Sequence, residues 1–250
     1  FRYCDGAVAM IATLAQLSYV YSMSKSKVEE QLSVHHGGAH FHDLMVDSFA
    51  RRFDDSFWKL WQEDVASQHG DKPVYVDLGC GPGLMLNAWR ERYSGAVLHG
   101  ADLQSYMLES AKKNAVLADA VVHEGDLHQL RLPLADASVD AVLLSMVLHE
   151  MLEPIGVLRE ARRLLKPAGR LVILDWIRAP LSQYLQGDDE DVFSDATSFE
   201  KRMDRFTHFM EHNKYCSDDL SWILQQLGFE VRRLAPRNDG QHIRLVAVPA

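Results

Sequence analysis

The decapeptide Val74-Tyr75-Val76-Asp77-Leu78-Gly79-Cys80-Gly81-Pro82-Gly83 limits the folds open to this chain more than any other stretch. β-Branched and aromatic residues lead up to Asp77 in the manner of a buried strand. Glycines at 79, 81 and 83 then allow a turn tight enough to bring the backbone against a ligand where a Cβ would block it. Apolar residues at Leu84, Ala88, Trp89 and Tyr93 continue the stretch as a helix. Strand, glycine turn and helix N-terminus together aim backbone N–H groups at a polar or anionic group.

The chain beyond repeats the same alternation. Strands are expected at Ala96–Asp102, Ala120–Glu124, Val139–Met146 and Leu171–Asp175, with helices at Gln104–Leu117 and Pro154–Leu165. Val139–Met146 is almost continuously apolar, as in a sheet covered on both faces. Lys166-Pro167-Ala168-Gly169 reads as the turn that stops the second of these helices. Glu230–Ala235 and His242–Val248, around Asn238-Asp239-Gly240, read as a closing antiparallel hairpin. The fold class that follows is α/β, a doubly wound, Rossmann-like and mostly parallel seven-stranded sheet with right-handed crossovers.

Two segments stand outside that rhythm. Residues 1–70 form a helical N-terminal extension or cap, with an apolar stripe at Val8, Ile11, Leu14, Leu17 and Tyr21 that suits packing on the core or a homodimer contact. Within it His35–His42 reads as a loop, and Met45–Val65 as one helix whose stripe Val46, Phe49, Phe53, Phe57, Leu60, Trp61 and Val65 is core. Residues 71–250 form the main domain, in which 178–215 is an insertion after the fifth strand, read as a lid.

Composition removes several function classes. With 250 residues, 47% of them hydrophobic, the chain can bury a full core. A net charge of −9 with no basic stripe argues against a nucleic-acid surface. Cys4, Cys80 and Cys216 are too scattered for a disulfide framework or a cysteine zinc site, which suits a reducing, cytoplasmic setting. The longest apolar run, Ala7–Val20, is too short to span a bilayer and lacks signal-peptide flanks. The four histidines between 35 and 42 have no ligand-spaced carboxylate or cysteine, so no metal is expected there.

The glycine spacing separates two cofactor classes. A dinucleotide turn wants Gly-x-Gly-x-x-Gly, but Leu84 occupies the third position and Gly83 comes one residue early. Asp77 would also repel a pyrophosphate, whereas it suits an ammonium group. A cationic cofactor without phosphate, such as S-adenosylmethionine, fits better.

Over residues 74–248 the sequence resembles the class I S-adenosylmethionine-dependent methyltransferases, in particular the small-molecule group that includes ubiquinone and menaquinone biosynthesis methyltransferases. Val76-Asp77-Leu78-Gly79-Cys80-Gly81-Pro82-Gly83 is similar to that family's first motif. The resemblance implies that Asp77, Gly79, Gly81 and Gly83 line the cofactor. It also implies that Asp102, in Gly100-Ala101-Asp102-Leu103, holds the ribose hydroxyls and that Leu103 and Met107 flank the adenine. In Gly125-Asp126-Leu127, Asp126 would accept the adenine amino group and the Leu127 amide would donate to the ring; Ser145 joins this set. Leu164-Leu165-Lys166-Pro167-Ala168-Gly169-Arg170 is similar to the family's turn before strand five, with Ala168 where a glycine is usual.

Ligands of open α/β sheets sit at the carboxyl ends of the strands. Strand four ends in Ser145-Met146-Val147-Leu148-His149-Glu150, and His149, as a neutral imidazole, is the leading group to take a proton or orient an acceptor, with Glu150 as the alternative. Trp176 at the end of strand five, His208 and His212 of the lid, and His40 and Phe41 of the N-terminal loop are the expected acceptor-binding groups. The expected activity is in-line transfer of a methyl group to a small molecule, yielding S-adenosylhomocysteine. A catalytically silent cofactor-binding module and a nicotinamide oxidoreductase are the alternatives. The residues leave the accepting atom open between oxygen, nitrogen, carbon and sulfur.

Overall fold

A computed structural model describes residues 39–185, 191–237 and 240–250, with side chains from His42 onward. It divides into two units, Phe1–Asp43 and Leu44–Ala250, and the sheet and the site described below lie in the second. The stripe at Val8–Tyr21, the histidines at 35 and 36 and most of the acidic run at Asp188–Asp191 lie outside the described residues.

Seven strands form one sheet in the order β3-β2-β1-β4-β5-β7-β6. They are β1 (Val74–Leu78), β2 (Val97–Asp102), β3 (Ala120–Glu124), β4 (Val139–Ser145), β5 (Leu165–Trp176), β6 (Phe229–Pro236) and β7 (His242–Pro249). The first five are parallel, and β7 runs antiparallel to β5 and β6. The order reverses between β1 and β4, so the glycine turn after β1 opens at the switch point of the sheet, where the crossovers diverge and leave a crevice.

Period-two alternation divides the central strands between two cores. Val76, Leu78, Val142, Leu144 and Ile173 face α5 (Ile155–Leu164) and α8 (Ser217–Gln226) through Val157, Leu158, Ala161, Leu220 and Leu224. Tyr75, Leu143, Val172 and Val246 face Phe57, Trp61 and Val65 together with Leu86 and Trp89 of α3 (Leu84–Arg92). Trp61, Tyr75 and Trp89 meet with ring centroids 5.1–5.3 Å apart. Phe53, Phe57, Leu60, Trp61 and Val65 of the N-terminal stripe are therefore core, Phe49 packs against them half-buried, and Val46, expected with them, is corrected to an exposed position at 40%.

Three local expectations are corrected. The loop His35–His42 ends earlier than expected, because α1 (Ala39–Arg52) starts directly after Gly37-Gly38; its His40 and Phe41 are helical, and their side chains lie outside the described set. Met45–Val65 is not one helix. The chain breaks at Asp54, which caps α2 (Asp55–Leu60) by accepting from the Phe57 amide at 2.9 Å, and then continues as a π-helical turn over Trp61–Val65. Arg244 of β7, buried, holds that break by donating to Asp54 Oδ1 at 2.9 Å and to the Arg52 carbonyl at 3.1 Å. Lys166–Gly169 belongs to β5, as a bulge where pairing skips from Val139 with Leu165 to Ala141 with Arg170.

The insertion between β5 and α8 contains α6 (Leu181–Leu185) and α7 (Phe199–His212). Its base is fastened by Arg178 N donating to the Tyr215 carbonyl at 2.7 Å and by Ala179 N donating to Asn213 Oδ1 at 2.8 Å. No residue of α7 is fully buried, and Phe199, Met203 and Met210 face solvent. The remaining helix, α4 (Ser105–Ala118), follows β2.

Candidate functional site

The turn after β1 is built from three glycines with positive φ. The Gly79 and Cys80 amides both donate to the Ala101 carbonyl of β2, at 2.8 and 3.0 Å, which curls the chain back over the sheet edge. At Gly79, with φ 83°, a Cβ would lie 2.3 Å from Val147 Cγ2. Gly79→Ala therefore combines a left-handed backbone, about 1–2 kcal/mol, with overpacking of about 1–3 kcal/mol. The denaturation midpoint of that variant is expected to fall accordingly, and an unchanged midpoint would refute the packing. Gly81 differs: a Cβ there would meet nothing within 4 Å, so its bare Cα borders open space at the mouth of the crevice.

Four acidic or hydroxyl groups surround the turn. Asp102 accepts from the Gly81 amide through Oδ2 at 2.8 Å and from the Gln104 amide through Oδ1 at 3.0 Å, so it shapes the loop it was expected only to face. Asp77 is 4% exposed, and its Oδ1 is buried without a hydrogen bond. Burial, reinforced by Asp102 and opposed by Arg52, raises the Asp77 carboxyl to about 7. Ser145 Oγ, at the end of β4, is likewise buried and unpartnered. Asp126 is partly committed: its Oδ1 accepts from the His128 amide at 3.0 Å and from His128 Nδ1 at 2.6 Å, while the Leu152 amide donates to His128 Nε2 at 3.1 Å. Because Nε2 accepts, Nδ1 carries the proton, and only Oδ2 of Asp126 is left for a ligand. Leu103 and Leu127 are half-buried; Met107 is buried.

The rim formed by β4, β5 and the insertion brings together Trp176, His208, His212, His149 and Glu150. His149 is 4% exposed; its Nδ1 lies 2.5 Å from Asp175 Oδ1 and its Nε2 lies 3.2 Å from Glu150 Oε1. Burial alone would lower the imidazole, but the two carboxylates prevail and raise it to about 9. The two carboxylates thus favour the charged imidazolium over the neutral imidazole that proton uptake would need, and both ring nitrogens are engaged. His212 is the opposite case. Burial, with the charge of His149 and then His208 added, lowers it to about 3, and its Nδ1 donates to the His208 carbonyl at 2.9 Å. Its ring stacks on His208 at 3.8 Å and lies 5.0 Å from His149. Trp176 stands edge-on to His212 at 5.2 Å and packs on His242 at 4.0 Å. The Tyr184 hydroxyl hydrogen-bonds His208 Nδ1. Among the described residues no three His, Cys, Asp or Glu side chains are grouped to hold a metal ion.

Sequence reasoning missed Arg52, His242 and Tyr184. Arg52 and His242 belong to elements distant in the chain, Tyr184 to the insertion itself, and none sits in a spaced motif. Asp175, expected as the last residue of the fifth strand, holds four donors: the amides of Val147, Leu148 and Trp176 at 3.1, 2.7 and 2.8 Å, and His149.

With this geometry in hand, the family model described as a methyltransferase domain matches residues 76–173, from the middle of β1 to the middle of β5. Residues 76–173 are thus similar to methyltransferase domains. The chain is 42% identical over 106 residues to an uncharacterized 37.1 kDa protein in transposon TN4556 of Streptomyces fradiae, covering 40% of this chain and 30% of that protein. It is 31% identical over 126 residues to demethylmenaquinone methyltransferase of Thermus thermophilus, covering 50% of this chain and 57% of that enzyme. The chain thus spans less than two thirds of the length of either relative. A solved methyltransferase from Aquifex aeolicus superposes with a TM-score of 0.57 at 20% identity, covering 80% of this chain and 93% of that one, a likeness of fold.

Proposed function

We propose that the chain binds S-adenosylmethionine in the crevice after β1 and transfers its methyl group to a small aromatic acceptor. The observation that carries the cofactor reading is the pair of buried, unpartnered polar atoms, Asp77 Oδ1 and Ser145 Oγ, beside the open Cα of Gly81. Buried polar atoms without partners are rare in native proteins, and a ligand that supplies donors accounts for them. In this reading Asp77 takes the ammonium group of the cofactor, Asp102 the ribose hydroxyls, and Oδ2 of Asp126 the adenine amino group. When bound, the cofactor supplies an electrophilic methyl carbon on a sulfonium. The protein's part is to align an acceptor behind that carbon and to exclude water.

The acceptor reading rests on the rim. Trp176, His208, His212 and His242 make a wall of ring faces and edges suited to a planar aromatic substrate. Several of the similar proteins are named as quinone methyltransferases, among them 2-phytyl-1,4-naphtoquinone methyltransferase of Trichormus variabilis, which favours a phenolic or quinol acceptor here. Glu150 is the group placed to receive a hydroxyl proton. It is anchored by His149, and its charge is felt by Tyr106 of α4 and by His212 and Lys214 of the insertion. His149 then positions Glu150. The segment 178–215 closes the site as a lid in this proposal, supported by α7 placing two histidines on the rim while burying none of its residues fully.

Calorimetric titration with S-adenosylhomocysteine tests the cofactor assignment, and the expected result is binding at micromolar concentrations. Binding of NADH in its place would overturn the assignment. The pH dependence follows from Asp77, which binds a cation only when ionised. With its carboxyl at about 7, affinity is expected to rise about tenfold from pH 6 to 8. Stability of the free protein runs the other way. A raised carboxyl favours the neutral native form, so its contribution is full below about 4 and is lost as pH climbs through about 7. A flat affinity profile between pH 6 and 8 would remove Asp77 from the ammonium site.

A further inference from the structure

Tyr184 is 2% exposed and is the buried side chain of the short helix α6. Three residues on one face of α7, at the i, i+3 and i+4 spacing of neighbours on a helix, enclose its ring. The Arg205 guanidinium lies over it, with Cζ 4.3 Å from the centroid, and Nη2 donates to the Tyr184 carbonyl at 3.1 Å. Phe209 meets it edge-on at 5.2 Å. His208 lies tilted to it at 5.8 Å, with Nδ1 hydrogen-bonded to the phenol. Gln183, one residue back, packs against Gly240 between β6 and β7, where φ is 64° and a side chain would collide with the Gln183 amide. Two residues beyond Gly240, His242 packs on Trp176. Helix α6 is thus wedged between that hairpin and α7.

The Tyr184 hydroxyl is the part of the side chain that this packing does not need, because phenylalanine would fill the same space beside Arg205 and Phe209. A phenol O–H is a stronger donor than an imidazole N–H, and an unprotonated ring nitrogen is a stronger acceptor than a phenol oxygen. Tyr184 therefore donates to Nδ1, and the proton of the neutral imidazole sits on Nε2. The bond also fixes the rotation of the ring, a torsion that is otherwise broad. That rotation sets the wall of rings: His208 stacks on His212 at 3.8 Å with the planes 19° apart, and stands at 86° to Trp176 at 6.1 Å.

We propose that Tyr184 is a positioning residue for the acceptor, its hydroxyl holding His208 in the orientation that keeps the ring wall of Trp176, His208 and His212 assembled. The inference rests on the aromatic-acceptor reading above and extends it to a buried residue of α6.

The test titrates 1-naphthol, a planar phenol, by calorimetry into the full chain saturated with S-adenosylhomocysteine. Tyr184→Phe removes the hydroxyl and keeps the ring. Its affinity for 1-naphthol is expected to fall about fivefold, the net worth of one hydrogen bond, with S-adenosylhomocysteine binding unchanged. In a His208→Phe background the same change is expected to have no further effect, because no ring nitrogen is left for the hydroxyl to hold. Wild-type affinity in Tyr184→Phe overturns the proposal and leaves the aromatic-acceptor reading standing, as does a loss that persists in the His208→Phe background. Failure of the wild type to bind 1-naphthol overturns both. Nitrogen NMR of the wild type at about pH 8, where an ordinary imidazole is neutral, decides the matter even if the variants unfold. His208 is expected as the Nε2-protonated tautomer, and an Nδ1-protonated ring overturns the proposal.

Discussion

Asp175→Ala is expected to lower stability by about 3–5 kcal/mol, the cost of leaving a buried ion without its partner. In a domain of this size that is a drop of roughly 6–20 °C in melting temperature. The reason lies in what Asp175 holds. Both oxygens are used twice, for three backbone amides and the His149 imidazole, all at the junction where β4 turns into the segment carrying His149 and Glu150. Removal orphans the Val147 and Leu148 amides in a buried setting and strands the imidazolium. Asp175→Asn keeps an acceptor for part of the set and is expected to fall between wild type and alanine. A melting temperature within 2 °C of wild type for Asp175→Ala would show that the imidazolium finds support elsewhere. His149 is also expected to make the pair pH-dependent. Its folded value, about 9, lies above the ordinary one, so the stability it contributes is complete below about 6.5 and is lost as pH rises through about 9.

The second large effect is on binding. Asp102→Ala is expected to weaken S-adenosylhomocysteine by tenfold or more in calorimetry, with the melting temperature of the free protein much less affected than in Asp175→Ala. Two losses combine. In the proposed site the ribose hydroxyls lose a shared charged acceptor, and charge-assisted hydrogen bonds of that kind contribute about 1.5–3 kcal/mol each. The Gly81 and Gln104 amides lose the acceptors that hold the glycine turn in shape. Because Asp102 is only partly buried, water can replace it toward the two amides, which is why folding suffers less than binding. Unchanged affinity would take Asp102 out of the ribose site.

Much of the architecture was legible because its causes are local. The apolar runs of β1, β2 and β4 and the spacing of crossovers follow from side-chain periodicity, and the hairpin from its turn residues, so every strand boundary but the start of β5 could be placed within a few residues. The strand-glycine-helix turn was legible for the same reason, since positive φ at 79, 81 and 83 is a property those residues carry with them. The local errors arose where tertiary contacts outvoted pattern. The stripe from Val46 to Val65 is helically spaced throughout, yet Arg244, nearly two hundred residues away, and the cap at Asp54 break it in two. Lys166–Gly169 looks like a turn, but β4 on one side and β7 on the other draw the following chain into a long strand with a bulge.

By itself the sequence determined the order of the elements, the glycine cradle and the identity of the acids that end β1 and β2. Backbone conformation and hydrophobic alternation depend on near neighbours, so they can be read along the chain. Only the tertiary structure decided the charge states and the partnerships. It sets His149 between two carboxylates in a place water does not reach, which favours the charged imidazolium, and stacks His212 near it, where burial and that charge favour the neutral ring. Those properties depend on distance and desolvation between residues remote in sequence.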